Sequence, residues 1–256
     1  FLLSGCQWLW PDEEKKGKEQ IEPALAPARA ALIGTVHNVV GTVIGGAQID
    51  ADGKTVVANE QGWFVLGDLP IGQEIAVDVR ADGYVATQRL VTLGSGAQSF
   101  LDAQLFAVGT STTIDANAGG EIAFSGAKVV LAAQAVVDTQ GGVPTNLTAT
   151  LTIIDATTRA GRLAVPGNFV AQDDGGDDVR LETFGMIYFG LEGGDGSSVQ
   201  IQAGADVTAS IPVISASVSL PGSDGGASSV EPPAEIPLWR YDDNLRRWVR
   251  EGAANY

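Results

Sequence analysis

The residues best suited to metal chemistry lie in one acidic loop. Asp173, Asp174, Asp177 and Asp178 flank the pair Gly175-Gly176. Carboxylate oxygens on a glycine-hinged loop are the hard ligands that Ca²⁺ prefers. The sequence therefore predicts a calcium site here, and calcium is the only cofactor it suggests. The alternative is a solvated acidic turn, because the whole chain carries a formal net charge of −16.

Imidazole and thiol chemistry have few candidates. His37 is the only histidine and Cys6 the only cysteine, so the sequence contains neither a Ser/His/Asp set nor a zinc-ligand cluster. No glycine-rich phosphate loop or Gly-x-Ser-x-Gly motif is present. Carboxylates are plentiful, so a hydrolase would need a pocket in which two of them converge. We expect a protein that is not an enzyme.

Two further groups of residues are candidates for binding. Trp63 and Tyr84 would form the exposed aromatic platform of a carbohydrate- or calcium-dependent recognition module. Four arginines stand near the end of an otherwise acidic chain: Arg240, Arg246, Arg247 and Arg250. They predict a cationic interface for an acidic neighbouring subunit, the alternative being that they flank aromatic residues on a wet strand surface.

Composition limits the class of protein. The 256 residues include 15 lysines and arginines and 31 acidic residues. Nucleic acid is therefore excluded as a partner, because binding to its phosphates depends on clustered cations. The 33 glycines and the abundant alanine, valine and threonine favour an all-β extracytoplasmic protein. Apart from the first few residues, no apolar run is long enough to span a membrane.

Hydrophobic alternation between closely spaced turns predicts the architecture. In one candidate strand, Ile75, Val77 and Val79 alternate with Ala76, Asp78 and Arg80, which gives one buried and one wet face. The fold class we predict is all-β, with two consecutive antiparallel β-sandwich domains of immunoglobulin-like or transthyretin-like type after an N-terminal tether. The first domain spans 32–108 and the second 109–256.

Further strands are predicted along both domains. In the first, they cover 33–36, 41–44, 47–49, 62–66, 74–80 and 88–93. In the second, they cover 121–124, 127–131, 147–154, 186–189, 198–201 and 206–212, the one around Met186 being central because both its faces are apolar. A last hairpin pairs 236–243 with 247–252, with its turn at Asp242-Asp243-Asn244 and with Trp239 and Trp248 packed across it.

The first domain resembles the carboxypeptidase regulatory-like domain, a seven-stranded sandwich related in shape to transthyretin. The residues that carry this resemblance are Gly41-Thr42-Val43 with Gly46-Ala47-Gln48-Ile49, Asn59-Glu60-Gln61-Gly62-Trp63-Phe64, Leu69-Pro70-Ile71-Gly72 and Ala81-Asp82-Gly83-Tyr84. The resemblance covers about seventy-five residues. It implies a non-catalytic module that serves as a spacer or a packing partner.

The second domain resembles the extracellular β-domain of the cartilage intermediate layer protein relatives. The residues that carry this resemblance are 180–187, 204–212, 236–243 and 247–252. In that family a further strand pair normally follows, so we expect this domain to be truncated at its C-terminus or to close differently. An open sheet edge would accept a strand from a protein partner or from another copy of the chain.

The N-terminus resembles the lipobox that ends a bacterial lipoprotein signal peptide. Leu3-Ser4-Gly5-Cys6 fits it at four positions, which implies cleavage before Cys6 and acylation of its thiol. Residues 1–5 are then the remnant of the signal peptide, and 6–31 are the lipidated cysteine and a flexible tether rich in Pro, Ala and charge. Gln7 stands where an inner-membrane retention signal would place Asp, which favours the outer membrane.

Taken together, these features predict a lipid-anchored outer-membrane or cell-surface protein. Its role would be structural, adhesive or in self-assembly, without catalysis. The membrane is the partner of acylated Cys6, and sheet edges offer contacts to proteins. The alternative is the carbohydrate- or calcium-dependent recognition module.

Overall fold

The computed structural model describes residues 29–95, 98–172, 175–214, 218–221 and 227–256. The first strands in chain order are β1 (Arg29–Asn38), β2 (Gln48–Ala51), β3 (Lys54–Val57), β4 (Trp63–Pro70), β5 (Glu74–Arg80), β6 (Thr87–Thr92) and β7 (Gln98–Leu105). There follow β8 (Thr110–Asp115), β9 (Gly120–Phe124), β10 (Ala127–Leu131), β11 (Val136–Asp138), β12 (Asn146–Ile153) and a short helix, α1 (Arg159–Ala164). The remaining strands are β13 (Val170–Gln172), β14 (Asp178–Arg180), β15 (Ile187–Gly193), β16 (Val199–Ile201), β17 (Val207–Ser210), β18 (Val218–Pro221), β19 (Ala227–Val230), β20 (Glu235–Asp242) and β21 (Arg247–Asn255).

The all-β class predicted from the sequence is confirmed, since α1 is the only helix in the described ranges. Most strand pairs are antiparallel. The exceptions are the parallel pairing of β1 with β7 and a single parallel bridge between β13 and β21. Within the same ranges, no helix has the length and apolar character needed to cross a bilayer.

Two sheets enclose the first core. One has the order β4-β1-β7 and the other β3-β2-β5-β6. Ile75, Val77 and Val79 of β5 are buried, whereas Ala76 and Asp78 are only partly buried and Arg80 is exposed. The alternation in the sequence therefore identified the inward face of this strand correctly.

A second core lies between the sheets β15-β12-β8 and β17-β10-β9, with the pair β11-β16 beside them. Leu147, Ala149 and Leu151 of β12 are fully buried in it. Among the described strands, β12 has partners on both sides, while β15 pairs with β12 on one side and has one isolated bridge, Glu192 to Ser198, on the other. The prediction that the strand around Met186 is central was wrong, because its apolar residues line a cleft and a core instead of two sheet neighbours.

A third core joins the early and late parts of the chain. Its buried residues are Val85, Phe106, Ile154, Ala156, Ala164, Val165, Ala171 and Trp248. The four-stranded sheet β14-β13-β21-β20 supplies Ala171 and Trp248. Because Val85 and Phe106 precede residue 109, this core draws on both sides of the predicted boundary at 108/109. The two-domain division itself stays a prediction.

Two local expectations fail near the start of the fold. The predicted strand 41–44 is a turn with one isolated bridge, between Val43 and His37 of β1. The Asn38 side chain explains the turn, because its Oδ1 accepts hydrogen bonds from the amides of Val40 and Thr42. Strand β7 was not among the predicted strands.

Candidate functional site

A hydrogen-bonded junction joins the first sandwich to the last hairpin. The Tyr241 hydroxyl donates to Gln88 Oε1 at 2.7 Å, and the Gly167 amide donates to the Gln88 carbonyl oxygen at 2.8 Å. Arg89 Nη1 donates to the carbonyl oxygens of Val165 at 3.0 Å and Gly167 at 3.3 Å. Consecutive residues of β6 thus satisfy the polar groups of a loop that lies far away in sequence.

Helix α1 positions that loop. Thr158 caps it, and its Oγ1 accepts from the Gly161 amide at 2.9 Å. Gly161 is required, because a Cβ there would collide with the Asp155 carbonyl oxygen. The helix ends before Val165, whose extended backbone turns its carbonyl oxygen toward Arg89.

An aromatic cluster forms the other side of the junction. Trp248 stacks on Phe169 at 6.3 Å between ring centroids and meets Tyr241 edge-on at 5.6 Å. The predicted hairpin and its turn are confirmed, and Asp242 Oδ1 accepts from the amide of Asn244. The two tryptophans are not cross-strand partners, because the turn pairs Asp242 with Arg247 and so places Tyr241 opposite Trp248 and Arg250 opposite Trp239. Trp239 still packs against the third core.

A cleft of about 1180 Å³ opens beside the junction. Its walls come from β2 and β5, the start of β6, the strand β15 and the end of the β20–β21 hairpin. Thr87 and Trp248 both line it and are at least nine-tenths buried, and the Thr87 hydroxyl and the Trp248 indole nitrogen lack a hydrogen-bond partner in the described part of the chain.

Four carboxylates line this cleft, and two of them, Asp78 and Asp243, form no salt bridge among the described residues. Asp78 accepts from Gln88 Nε2 at 2.9 Å, which extends the Tyr241–Gln88 contact into a chain of three side chains. Asp243 lies at the solvent-exposed mouth. The cleft walls remove part of its hydration and so raise its pKa, and the negative charges of Asp78 and Asp242 add to the rise.

Burial raises the pKa values of two tyrosines in the same wall of the cleft. Desolvation raises the pKa of Tyr241, and the charge of Asp243 adds to it. The pKa of Tyr188 is raised in the same way, by burial first and then by the charges of Glu192 and Asp243. Both phenols therefore stay protonated at neutral pH, so Tyr241 remains a donor to Gln88.

The predicted aromatic platform is only partly assembled. Trp63 is 49% exposed and meets Phe100, 63% exposed, edge-on at 6.2 Å. Together with Val65, 59% exposed, the two rings form an apolar patch on the outer face of the sheet β4-β1-β7. Tyr84 is elsewhere, partly buried against the first core.

The four predicted interface arginines have different surroundings. Arg240 pairs with Glu251 at 2.7 Å and with Asp242 at 3.3 Å. Arg247 donates to Gln172 Oε1 at 2.9 Å, Arg246 lines the cleft, and Arg250 lies opposite Trp239 in the ladder. The cationic interface stays a prediction.

The predicted calcium loop is described only in part. Asp178 begins β14 and Asp177 precedes it, whereas Asp173 and Asp174 lie outside the described residues. Within the described ranges, no group of three or more His, Cys, Asp or Glu side chains is arranged to hold a metal ion. Cys6 and the rest of 1–28 also lie outside them, so lipidation stays a prediction.

The cleft was not identified from the sequence. Two of its carboxylates, Asp78 and Asp243, are 165 residues apart, and each stands in a pattern typical of a wet strand face or a turn. The sequence held one weak signal: Asp243 follows Trp239 and Tyr241, two aromatic residues of the same strand. Both carboxylates line one cleft, and Asp78 is held there by Gln88.

The fold and this cleft define an all-β protein of packed, mainly antiparallel sheets. No protein-family model matches the chain, and no curated protein matches it. Among solved structures, it is similar to the Bacillus anthracis TIE protein, with 16% identity, a TM-score of 0.29, and coverage of 80% of this chain and 31% of that one. The chain therefore spans about a third of that protein's length.

Two further solved structures are similar at the same level. A DUF3823 family protein from Parabacteroides merdae shares 11% identity with a TM-score of 0.27, over 66% of this chain and 84% of that one. A streptococcal ancillary pilin shares 10% identity with a TM-score of 0.27, over 80% of this chain and 60% of that one.

Proposed function

We propose that this chain is a lipid-anchored bacterial protein of the outer membrane or cell surface. Its role is structural, adhesive or in self-assembly, and it is not catalytic. The observation that carries the structural part is the junction: Gln88 and Arg89 of one sandwich are bonded to Tyr241, Val165 and Gly167 of the remainder. A shared core beneath these bonds favours a rigid unit over two freely moving modules.

The lipobox at Leu3-Ser4-Gly5-Cys6 supports the anchoring. Acyl chains on Cys6 would hold the protein at the membrane with about 0.8 kcal/mol per buried methylene. Residues 7–31 would then separate the first sandwich from the lipid surface.

The anchoring is tested by expressing the chain in a Gram-negative bacterium behind a basic, apolar leader peptide and feeding an alkyne-labelled palmitate. We expect label in the outer-membrane fraction for the wild type and for Ser4→Ala, which keeps a small residue before the cysteine. Cys6→Ser should lose the label. A wild-type chain without label would contradict the proposal.

Assembly is tested on the unlipidated Cys6→Ser chain by light scattering. Particles larger than a monomer support self-assembly, whereas a monodisperse monomer restricts the role to adhesion or to binding other proteins. Millimolar calcium is the second condition, because Asp177 and Asp178 belong to the predicted acidic loop and surface modules bind calcium in that range.

Recognition of carbohydrate is a second candidate function. The specific observation in its favour is the exposed pair Trp63 and Phe100, since large aromatic surfaces left in water on a sheet face mark interaction sites. Peptidoglycan sacculi are the probe, in a sedimentation assay with and without calcium. Trp63→Ala and Phe100→Ala should abolish co-sedimentation, and Val57→Ala, an equally exposed site elsewhere, should not.

A further inference from the structure

One strand edge in the cleft has no strand paired along it in the part of the chain that the structure describes. Strand β15 pairs with β12, and the ladder alternates between bonded and non-bonded pairs. The Ile154 amide donates to the Met186 carbonyl oxygen at 3.0 Å, and the Gly194 amide donates to the Asn146 carbonyl oxygen at 2.8 Å. Even-numbered residues of β15 are therefore the ones bonded to β12.

The odd-numbered residues of β15 consequently turn their backbone groups the other way. The Gly193 amide, on that side, donates to the Ser197 carbonyl oxygen and closes one end of the edge. Ile187 and Phe189 have no strand paired with them on that side among the described residues, whereas the bridge between Glu192 and Ser198 engages the carbonyl oxygen of Leu191 and leaves its amide open. Three amides and two carbonyl oxygens thus form an open row.

This open row faces the cleft. All six residues from Met186 to Leu191 line it in succession. Side chains alternate between the two faces of a sheet, so a face would contribute only every second residue. An unbroken run of lining residues indicates that the strand borders the cleft with its edge.

The edge also lacks the protection that exposed edges carry. Ile187-Tyr188-Phe189-Gly190-Leu191 contains neither a proline nor a charge, although natural edge strands are usually blunted by one or the other. Strand β20 is the contrast. Because the Tyr256 amide donates to the Ala234 carbonyl oxygen, Pro237 falls on the outward-facing register and leaves no amide there.

The charge of the cleft indicates what it would accept. Asp50 is neutralised by Arg80. Asp78 and Asp243 form no salt bridge with lysine or arginine in the described part of the chain. Asp243 also acts electrostatically on Tyr188 of the open edge, so negative charge and edge belong to one site. A cationic side chain placed between Asp78 and Asp243 would gain two carboxylates, in a cleft that Arg240 and Arg246 also line.

We propose that the cleft binds an extended peptide segment of another protein, which adds as a strand to the free edge of β15 and places a lysine or arginine between Asp78 and Asp243. Backbone hydrogen bonds to Ile187, Phe189 and Leu191 supply affinity, and the carboxylates supply selectivity. This inference rests on the proposed surface role. Its test needs no lipidation or localisation, so the two can fail separately.

The probe is a phage-displayed library of nine-residue random peptides selected on the unlipidated Cys6→Ser chain. Phe189→Pro removes the ring and the outward amide, while Phe189→Ala removes only the ring and keeps the amide. Proline is compatible with this position because the lost amide is not bonded to β12. Circular dichroism and thermal melting establish that both variants are folded, and Leu191→Pro with Leu191→Ala is the second matched pair.

We expect enriched peptides to carry a basic residue among β-forming residues. They should bind Phe189→Pro at least about tenfold more weakly than Phe189→Ala, the loss for one to two backbone hydrogen bonds. Asp243→Asn should weaken the basic peptides and leave uncharged variants of them unchanged. Hydrogen exchange should show the amides of Ile187, Phe189 and Leu191 becoming protected when peptide is added.

Three results would overturn the inference. Equal binding to the proline and alanine variants would show that the edge is not used. Failure of any peptide to enrich over Phe189→Pro would show that the cleft accepts none. Amides already protected in the free chain would mean that the chain covers its own edge, for example with residues 1–28.

Discussion

The Tyr241 hydroxyl donates a hydrogen bond to Gln88 Oε1 across 153 residues of sequence. This contact is the direct side-chain link between the last hairpin and the first sandwich. Gln88 in turn donates to Asp78, so the same residue connects the junction with the carboxylates of the cleft. Rigidity at the junction and the geometry of the cleft therefore depend on the same side chains.

Removing the Tyr241 hydroxyl should destabilise the fold. In Tyr241→Phe, the buried Gln88 Oε1 loses its donor, which we expect to lower the free energy of unfolding by about 1–2 kcal/mol. Urea denaturation measures the difference. Tyr84→Phe is the control, because no hydrogen bond of its hydroxyl is seen among the described residues, and it should change stability by less than about 0.5 kcal/mol.

A substitution at Gly167 tests how closely the Tyr241 ring packs against this backbone. Its φ is +65°, and a Cβ there would come within 2.7 Å of Tyr241 Cε2. Gly167→Ala should cost the strain of the left-handed backbone, about 1–2 kcal/mol, and in addition displace the ring. Gly141→Ala is the matched control, since its φ of +84° brings the same strain but no atom lies within 4 Å. Equal thermal melting temperatures for the two variants would show that the Tyr241 ring moves aside without a measurable cost in stability.

Arg89 holds the loop that follows α1. Arg89→Met keeps the aliphatic stem and leaves the carbonyl oxygens of Val165 and Gly167 without their donor, at an expected cost of about 1–3 kcal/mol. Arg29→Met removes an arginine from exposed pairs with Asp52 and Asp68 and should cost about 0.5 kcal/mol. A double-mutant cycle of Arg89→Met with Tyr241→Phe should show coupling, because Tyr241 is bonded to Gln88, the neighbour of Arg89 in β6.

Local patterns were enough to predict much of the fold. Ile75, Val77 and Val79 identified an inward face, and Asp242 identified a turn, because both depend on neighbours within a few residues. The prediction failed at Gly41–Ile44, where the Asn38 side chain competes with strand pairing. It also missed β7, whose exposed Phe100 disturbs the alternation of Leu101, Ala103 and Leu105.

The candidate site was beyond such patterns for a physical reason. Whether β15 ends as an edge depends on which strands pair with β12, a choice made between segments about forty residues apart. The apolar run around Met186 fits a central strand as well as an edge sheltered in a cleft. Likewise, Trp63 is exposed because side chains alternate between the two faces of β4, and Phe64 and Leu66 occupy the inward face.

The pKa of Asp243 predicts a pH-dependent effect of its replacement. That pKa is raised above the ordinary value of 3.8, by desolvation first and then by Asp78 and Asp242. The folded state therefore binds this proton more tightly than the unfolded state, so its contribution to stability falls as pH rises from 3.8 through the raised pKa. Above that window the charged carboxylate opposes folding, and below 3.8 it is neutral in both states.

Asp243→Asn, uncharged throughout, should thus be more stable than the wild type at pH 7, and the advantage should shrink as pH falls through the window. Urea denaturation at a series of pH values measures it, with Asp82→Asn, an exposed turn carboxylate, as the control for general charge. An advantage that persists unchanged below 3.8 would show that the amide stabilises by another contact and not by removing the charge.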